Sequence, residues 1–224
     1  MSTDVLISYD GTANDDDALA LGELLAPDST SVALAYIRHS PEFDPQREEL
    51  ARHDAERRLE QGAARLGRPD LARHVVFSGS TGAGLEDLAS SEGASLIVFG
   101  SDYRTQPGHA EPSTSAQRLL EIGARIGIAI AAAGLRAKPD ASIDSIAVPA
   151  VVEDESAKQT AETLAHRLGA TVRAAEAADA DLIVVGSRPG APAGRVVLSG
   201  SARTMLDASR GSVLVVPSGK PLRL

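Results

Sequence analysis

Two parts of this chain repeat earlier parts at two different spacings, and that mismatch constrains its architecture more than any other sequence feature. Ala94-Ser-Leu-Ile-Val-Phe-Gly-Ser-Asp102 returns as Ala180-Asp-Leu-Ile-Val-Val-Gly-Ser-Arg188, 86 residues later. The same offset pairs Gly108 with Gly194, Ser115 with Ser201, Ala116 with Ala202 and Leu120 with Leu206. Near the N-terminus the offset is 140: Ser2 and Asp4 match Ser142 and Asp144, Leu24 matches Leu164, and Val32 matches Val172. The difference between 140 and 86, 54 residues, is what the second copy lacks, from about position 36 to about 92 of the first. Internal repetition of this kind sets the fold before any local reading does. The chain divides into a complete copy at 1–135, a linker at 136–140, a truncated copy at 141–217 and a tail at 218–224. The linker, Leu135-Arg-Ala-Lys-Pro-Asp140, has the polar, proline-containing composition expected between domains.

Each copy alternates short apolar runs with helical patterns. Val5–Tyr9, Ser31–Ile37, Val75–Phe77, Leu96–Phe99 and Gly127–Ala131 have the residue mix of buried strands. Between them, Ala18, Leu21, Gly22 and Leu25 share a helical face, and residues 46–66 form an amphipathic helix rich in Arg and Glu. Further helices are expected at about 82–91 and 114–123. The second copy offers strands at Ile143–Val148, Thr171–Ala174, Leu182–Val185 and Ser212–Val216, and a helix carrying Ala157, Ala161, Leu164, Ala165 and Leu168. Repeated β-α steps with short connections imply a parallel sheet covered on both faces.

The net charge of −9 argues against nucleic acid as a partner, since that affinity rests on clustered Lys and Arg. With no Cys there is neither a disulfide framework nor a thiolate site. No signal-peptide pattern opens the chain, and its longest apolar stretch, Ile126 to Leu135, is too short to span a bilayer. These readings make a cytoplasmic protein, without a membrane partner, the expectation.

Tyr9-Asp10-Gly11-Thr12 at the end of the first strand resembles the start of a universal stress protein domain. Leu182-Ile-Val-Val-Gly186-Ser187, then Ser199-Gly200-Ser201, then Val213-Leu-Val-Val216-Pro217 resemble that family's C-terminal motifs. The resemblance implies two tandem parallel α/β domains of strand order 3-2-1-4-5, the second lacking its third strand. It also implies that they pair through their fifth strands, an intramolecular version of a dimer; the whole chain is then a monomer or a homodimer. Strand three is an outer edge in that order, so its loss removes no interior strand. Strand two of the second copy then becomes an edge, where Arg173 suits a strand that must resist further pairing.

Many members of that family bind ATP or AMP, and the resemblance carries this ligand to Asp10, Gly11 and Thr12 and to a glycine-rich loop. Glycines and helix N-termini suit such loops to phosphate. In the first copy the loop residues are Gly100, Ser101, Ser113, Thr114 and Ser115; in the second they are Gly186, Gly190, Gly200 and Ser201. Each copy departs from the family pattern. The first has Tyr103 at the place of the middle glycine and Thr114 at that of a later one. The second has Ala150 in place of the strand-one Asp and an extra Pro189. Both loops are one residue longer than the family's.

Other motifs read more plainly. Asn14-Asp15-Asp16-Asp17 complements a helix dipole more readily than it holds a cation. Gly79–Gly84 lacks the Gly-Lys-Ser/Thr ending of a phosphate loop. The histidines show no metal-ligand spacing, and His109, with Arg104 in a Pro-containing loop, is the one expected near the site, where that loop has the composition of a mobile lid. No nucleophile–base pair emerges. The expected function is a stress-response regulatory module gated by an adenine nucleotide and read by a protein partner. The alternatives are a nucleotide-free scaffold and a slow ATP hydrolase.

Overall fold

The computed structural model describes residues 3–26, 30–39, 44–149, 154–175, 179–208 and 210–224. Among these residues nine strands form one sheet in the order β3-β2-β1-β4-β5-β9-β8-β6-β7. They are β1 Val5–Ser8, β2 Val32–Arg38, β3 Ala72–Phe77, β4 Leu96–Phe99, β5 Gly127–Ile130, β6 Ser145–Pro149, β7 Thr171–Ala175, β8 Asp179–Val185 and β9 Arg210–Val215. All neighbours run parallel except β5 and β9, which are antiparallel, with Ile128 opposite Val215 and Ile130 opposite Val213. The first half therefore has the expected order 3-2-1-4-5. The second half repeats it without a third strand, and the two meet through their fifth strands.

Among the described residues six α-helices cover the sheet: α1 Ala13–Leu25, α2 Pro45–Arg65, α3 Thr81–Glu92, α4 Thr114–Ile122, α5 Glu155–Leu168 and α6 Gly200–Ala208. One apolar cluster packs α1, α2 and α5 on one face, and a second packs α3, α4 and α6 on the other. Local chemistry sets the helix ends. Thr12 and Asp15 form a reciprocal capping box at α1. Asp44, Ser80, Ser113 and Asp154 accept N–H bonds at the starts of α2 to α5 in turn. Gly93, Gly123 and Gly169 close α3, α4 and α5 in the left-handed conformation.

The truncation exposes β7 as the outer edge of the second half. Thr171, Val172 and Arg173 are all exposed there, so the edge carries the expected charge. Among the described residues no helix is long and apolar enough to cross a membrane.

Two segments differ from their expected character. Around the linker, Leu135–Ala137 forms a single 3-10 turn, pinned by the buried Asp17 of α1. Asp17 accepts N–H bonds from Gly134 at 2.9 Å and Arg136 at 2.8 Å, and an ion pair from the Arg136 guanidinium at 2.8 Å. The tail is also docked. Leu222 is buried against Gly127, where a Cβ would come within 2.6 Å of its Cδ1, and its N–H donates to the Thr160 hydroxyl at 2.9 Å.

Candidate functional site

In an open α/β sheet, ligand clefts form beyond the carboxyl ends of the strands, where the strand order reverses. In this sheet that point lies between β1 and β4, and a cleft of about 430 Å³ opens there. Its lining gathers Asp10 and Thr12 after β1, Gly100 and Ser101 after β4, and Ser113, Thr114 and Ser115 at the start of α4. Seven of the eight first-half candidates thus converge. Gly11 is the exception: it supplies a left-handed turn (φ +89) beneath the Arg58 side chain.

Two of the converging residues play parts other than the expected ones. Gly100 is closed off by protein, because a Cβ there would overlap the Asn14 carbonyl. Its lack of a side chain admits the start of α1. Ser101 is buried; its hydroxyl donates to the Ala131 carbonyl at 2.6 Å and accepts from the Glu111 N–H at 3.2 Å. Ser113 caps α4 through the Ala116 N–H at 3.4 Å. That leaves Thr114 and Ser115, whose hydroxyls make no hydrogen bond to another described residue, as the polar groups facing the cleft from α4. The first N–H groups of that helix add donors without an intrahelical acceptor.

The acidic run after β1 is divided among different partners. Asp16 receives the Tyr9 hydroxyl at 3.2 Å and pairs with Arg65, while Asp17 holds the linker. Burial, followed by the negative charge of Asp16, pushes the Tyr9 pKa up to about 12. Only Asp15 joins Asp10 in the cleft. Its Oδ2 accepts from the backbone N–H of Asp10 at 2.9 Å, the N–H of Thr12 at 3.2 Å and the Thr12 hydroxyl at 2.9 Å. Burial and the adjoining Asp10 carboxyl push its pKa up to about 7. Asp15 and Asp16 both lie in the first turn of α1, as the dipole reading expects, and each also has a specific partner.

His39, not His109, lines the cleft, and its Nε2 lies 2.9 Å from the Thr81 hydroxyl at the start of α3. His109 sits instead at the seam, where its backbone bridges to Arg210. The loop that carries it is tied down: Gly108 N–H donates to Ala133 at 2.8 Å, and Ala133 N–H returns to His109 at 2.9 Å. A free lid does not describe those residues. His39, Thr81, Tyr36, Phe99 and Asp102 are among the cleft residues that sequence reasoning missed. Their available signal was position, toward or just past the carboxyl end of a strand or at the first turn of the next helix.

The second half arranges its candidates differently. Gly186 is pressed against Asp154, whose carboxylate accepts the Ser187 N–H at 2.9 Å. Gly190 makes a left-handed turn (φ +76), Gly200 opens α6, and the Ser201 hydroxyl lies 2.9 Å from that of Ser199. Ala150, which occupies the place of Asp10, lies outside the described residues. Asn14 and Asp154 are the same position at offset 140, and Gly100 and Gly186 the same at offset 86. In both halves a polar helix-start residue closes over the glycine after the fourth strand.

These features define a class: a tandem, doubly wound α/β protein whose halves join edge to edge and whose cleft lies at the switch point of the first half. Solved structures place that class. A universal stress protein from Archaeoglobus fulgidus DSM 4304 superposes with a TM-score of 0.67 at 11% identity, over 98% of this chain and 100% of that one. A putative universal stress protein from Pseudomonas aeruginosa UCBPP-PA14 gives 0.59 at 15% identity, over 96% of this chain and 93% of that one. A functionally unknown protein from Pseudomonas aeruginosa PAO1 gives 0.60 at 14% identity, over 97% and 93%. The fold is that of the universal stress proteins. No protein-family model matches the chain, and no curated protein matches its sequence.

Proposed function

We propose that this chain is a universal stress protein, a cytoplasmic regulatory module that binds an adenine nucleotide, ATP or AMP, in the first-half cleft. Residues 1–135 form the binding domain on this reading, and residues 141–217 form a truncated domain that completes the pair and binds nothing in its own loop. The observation that carries it is the convergence of Asp10, Thr12, Thr114 and Ser115 on one cleft at the strand-order reversal. A volume of about 430 Å³ suits a small molecule. Ala35, Ile37 and Phe99 offer apolar wall for a base, and the start of α4 offers donors for a phosphate. A protein partner would read the change in the surface around residues 100–114 when the cleft fills.

The scaffold reading has one specific observation in its favour: Gly100 and Gly186 are both closed over by protein groups. Thermal shifts with AMP, ADP and ATP, beside native mass spectrometry of the gently purified protein, separate the two. The nucleotide reading expects a saturable stabilisation by at least one of them that Asp10→Ala abolishes and Gly200→Val retains. No co-purified mass and no shift at millimolar nucleotide would leave the scaffold. Steady phosphate release abolished by Asp10→Ala would favour a hydrolase instead.

A further inference from the structure

The first-half cleft has an unbalanced charge. Its lining holds three carboxylates, Asp10, Asp15 and Asp102, one histidine, His39, and among the described residues neither Lys nor Arg. The guanidiniums around it already have partners. Arg58 pairs through Nε with Asp54 at 2.9 Å and bonds the Asp10 backbone carbonyl at 2.9 Å. Arg65 is held by Asp16, and Arg104 lies over the ring of the exposed Tyr103, 4.8 Å from its centroid.

The carboxylates are held in place. Asp15 is fixed by three donors from Asp10 and Thr12, and Asp102 accepts the Arg104 N–H at 3.0 Å. Neither can swing away from an incoming anion without breaking those bonds. The groups in the same lining that would meet a phosphate are the hydroxyls of Thr114 and Ser115 and the first N–H groups of α4. Such donors bond one phosphoryl oxygen each and carry no full positive charge to offset a chain of phosphates. Every phosphate beyond the first adds negative charge beside fixed carboxylates, in a cleft where water screens less than in bulk.

We infer that Asp15 and Asp102 make this cleft selective by charge, so that it accepts adenosine and its monophosphate and disfavours the metal-free di- and triphosphate. The inference rests on the nucleotide reading above and names the ligand class within it. It assigns Asp15 and Asp102 as specificity determinants, acting by repulsion and not by contact with the base.

Titration calorimetry at about pH 8.5, where Asp15 with its pKa of about 7 is ionised, tests it in the presence of a chelator, with adenosine, AMP, ADP and ATP each added to the full chain and to Asp15→Asn and Asp102→Asn. The expected result is ATP bound about tenfold or more weakly than AMP, with ADP between them. Either variant should narrow the AMP-to-ATP gap by about threefold or more. Circular dichroism checks that each variant is folded, and Asp102→Asn, outside the helices, keeps the test open should Asp15→Asn loosen α1. ATP binding as tightly as AMP in the unaltered chain, or a gap unmoved by both substitutions, overturns the inference and leaves the nucleotide reading standing. No binding of any of the four compounds overturns both.

Discussion

The N–H of Gly211, at the start of β9, donates to the carbonyl of Gly108, in the first-half loop, at 2.8 Å. The second-half loop makes a related contact, Val196 N–H to the Ala124 carbonyl at 2.8 Å, and Arg195 reaches the Gly123 carbonyl at 2.8 Å. Each half therefore sends the loop after its fourth strand across the seam to the other half. Two separate sheets placed edge to edge would share only the β5–β9 ladder; these exchanged loops add hydrogen bonds that fix how the halves sit.

Gly211 has no tolerant substitute at that seam. Its φ of +121 is a glycine conformation, and a Cβ would overlap the Ala180 carbonyl oxygen. Gly211→Ala should cost about 2–4 kcal/mol in urea unfolding, from strain and the displaced β8–β9 register together. A loss within a few tenths of that of Gly219→Ala, a positive-φ glycine in open space, would show that the seam yields freely.

Asp17 is the anchor of the connection between halves. Removing its carboxylate leaves the Gly134 and Arg136 N–H groups and the Arg136 guanidinium without their acceptor. Asp17→Ala should destabilise by about 3 kcal/mol, and Asp17→Asn, which restores one acceptor oxygen, by less. Equal losses for the two would argue against the carboxylate as the pin.

The titration of Asp15 has a definite sign. Its pKa is raised from 3.8 in the unfolded chain to about 7 in the fold, so between those values the folded state binds more protons. Its contribution is complete below about pH 4 and is lost as pH rises through about 7. The stability difference between the unaltered chain and Asp15→Asn should therefore shift against the unaltered chain across that window. Carbon-detected NMR of the Asp15 carboxyl should show a midpoint near neutrality; a midpoint near 4 would remove the basis for the shift.

The glycines of the two loops should separate cleanly. Gly100→Ala collides with the backbone of Asn14, whereas Gly200→Ala meets open space at the first turn of α6. The first should lower the melting temperature by several degrees, and the second should leave it unchanged or slightly raised, as Ala favours helix over Gly. Equal effects would contradict the packing described around Asn14.

The sheet was largely legible because strands and helices announce themselves through local periodicity, and Leu96–Phe99 and Leu182–Val185 are short, β-branched apolar runs of strand length. The missing third strand was legible as a change of offset. The site was legible only in outline. Asp10, Thr12 and the Ser113–Ser115 run came from the family resemblance and line one cleft, yet Ser101 is buried and His39, not His109, lines that cleft. Which of two histidines enters a cleft depends on where a loop docks, and the docking of residues 102–112 on Gly211 joins positions about a hundred residues apart.

The sequence by itself determined the alternation of strands and helices, the duplication and its truncation, because each rests on spacings of a few residues or on direct repetition. Only the tertiary structure decided that Asp15, Asp16 and Asp17, three adjacent carboxylates, serve a cleft, a tyrosine–arginine pair and a linker. Successive residues of a helix point about 100° apart, so neighbours in sequence meet different surroundings, and what those surroundings hold is set by strand order and not by the run itself.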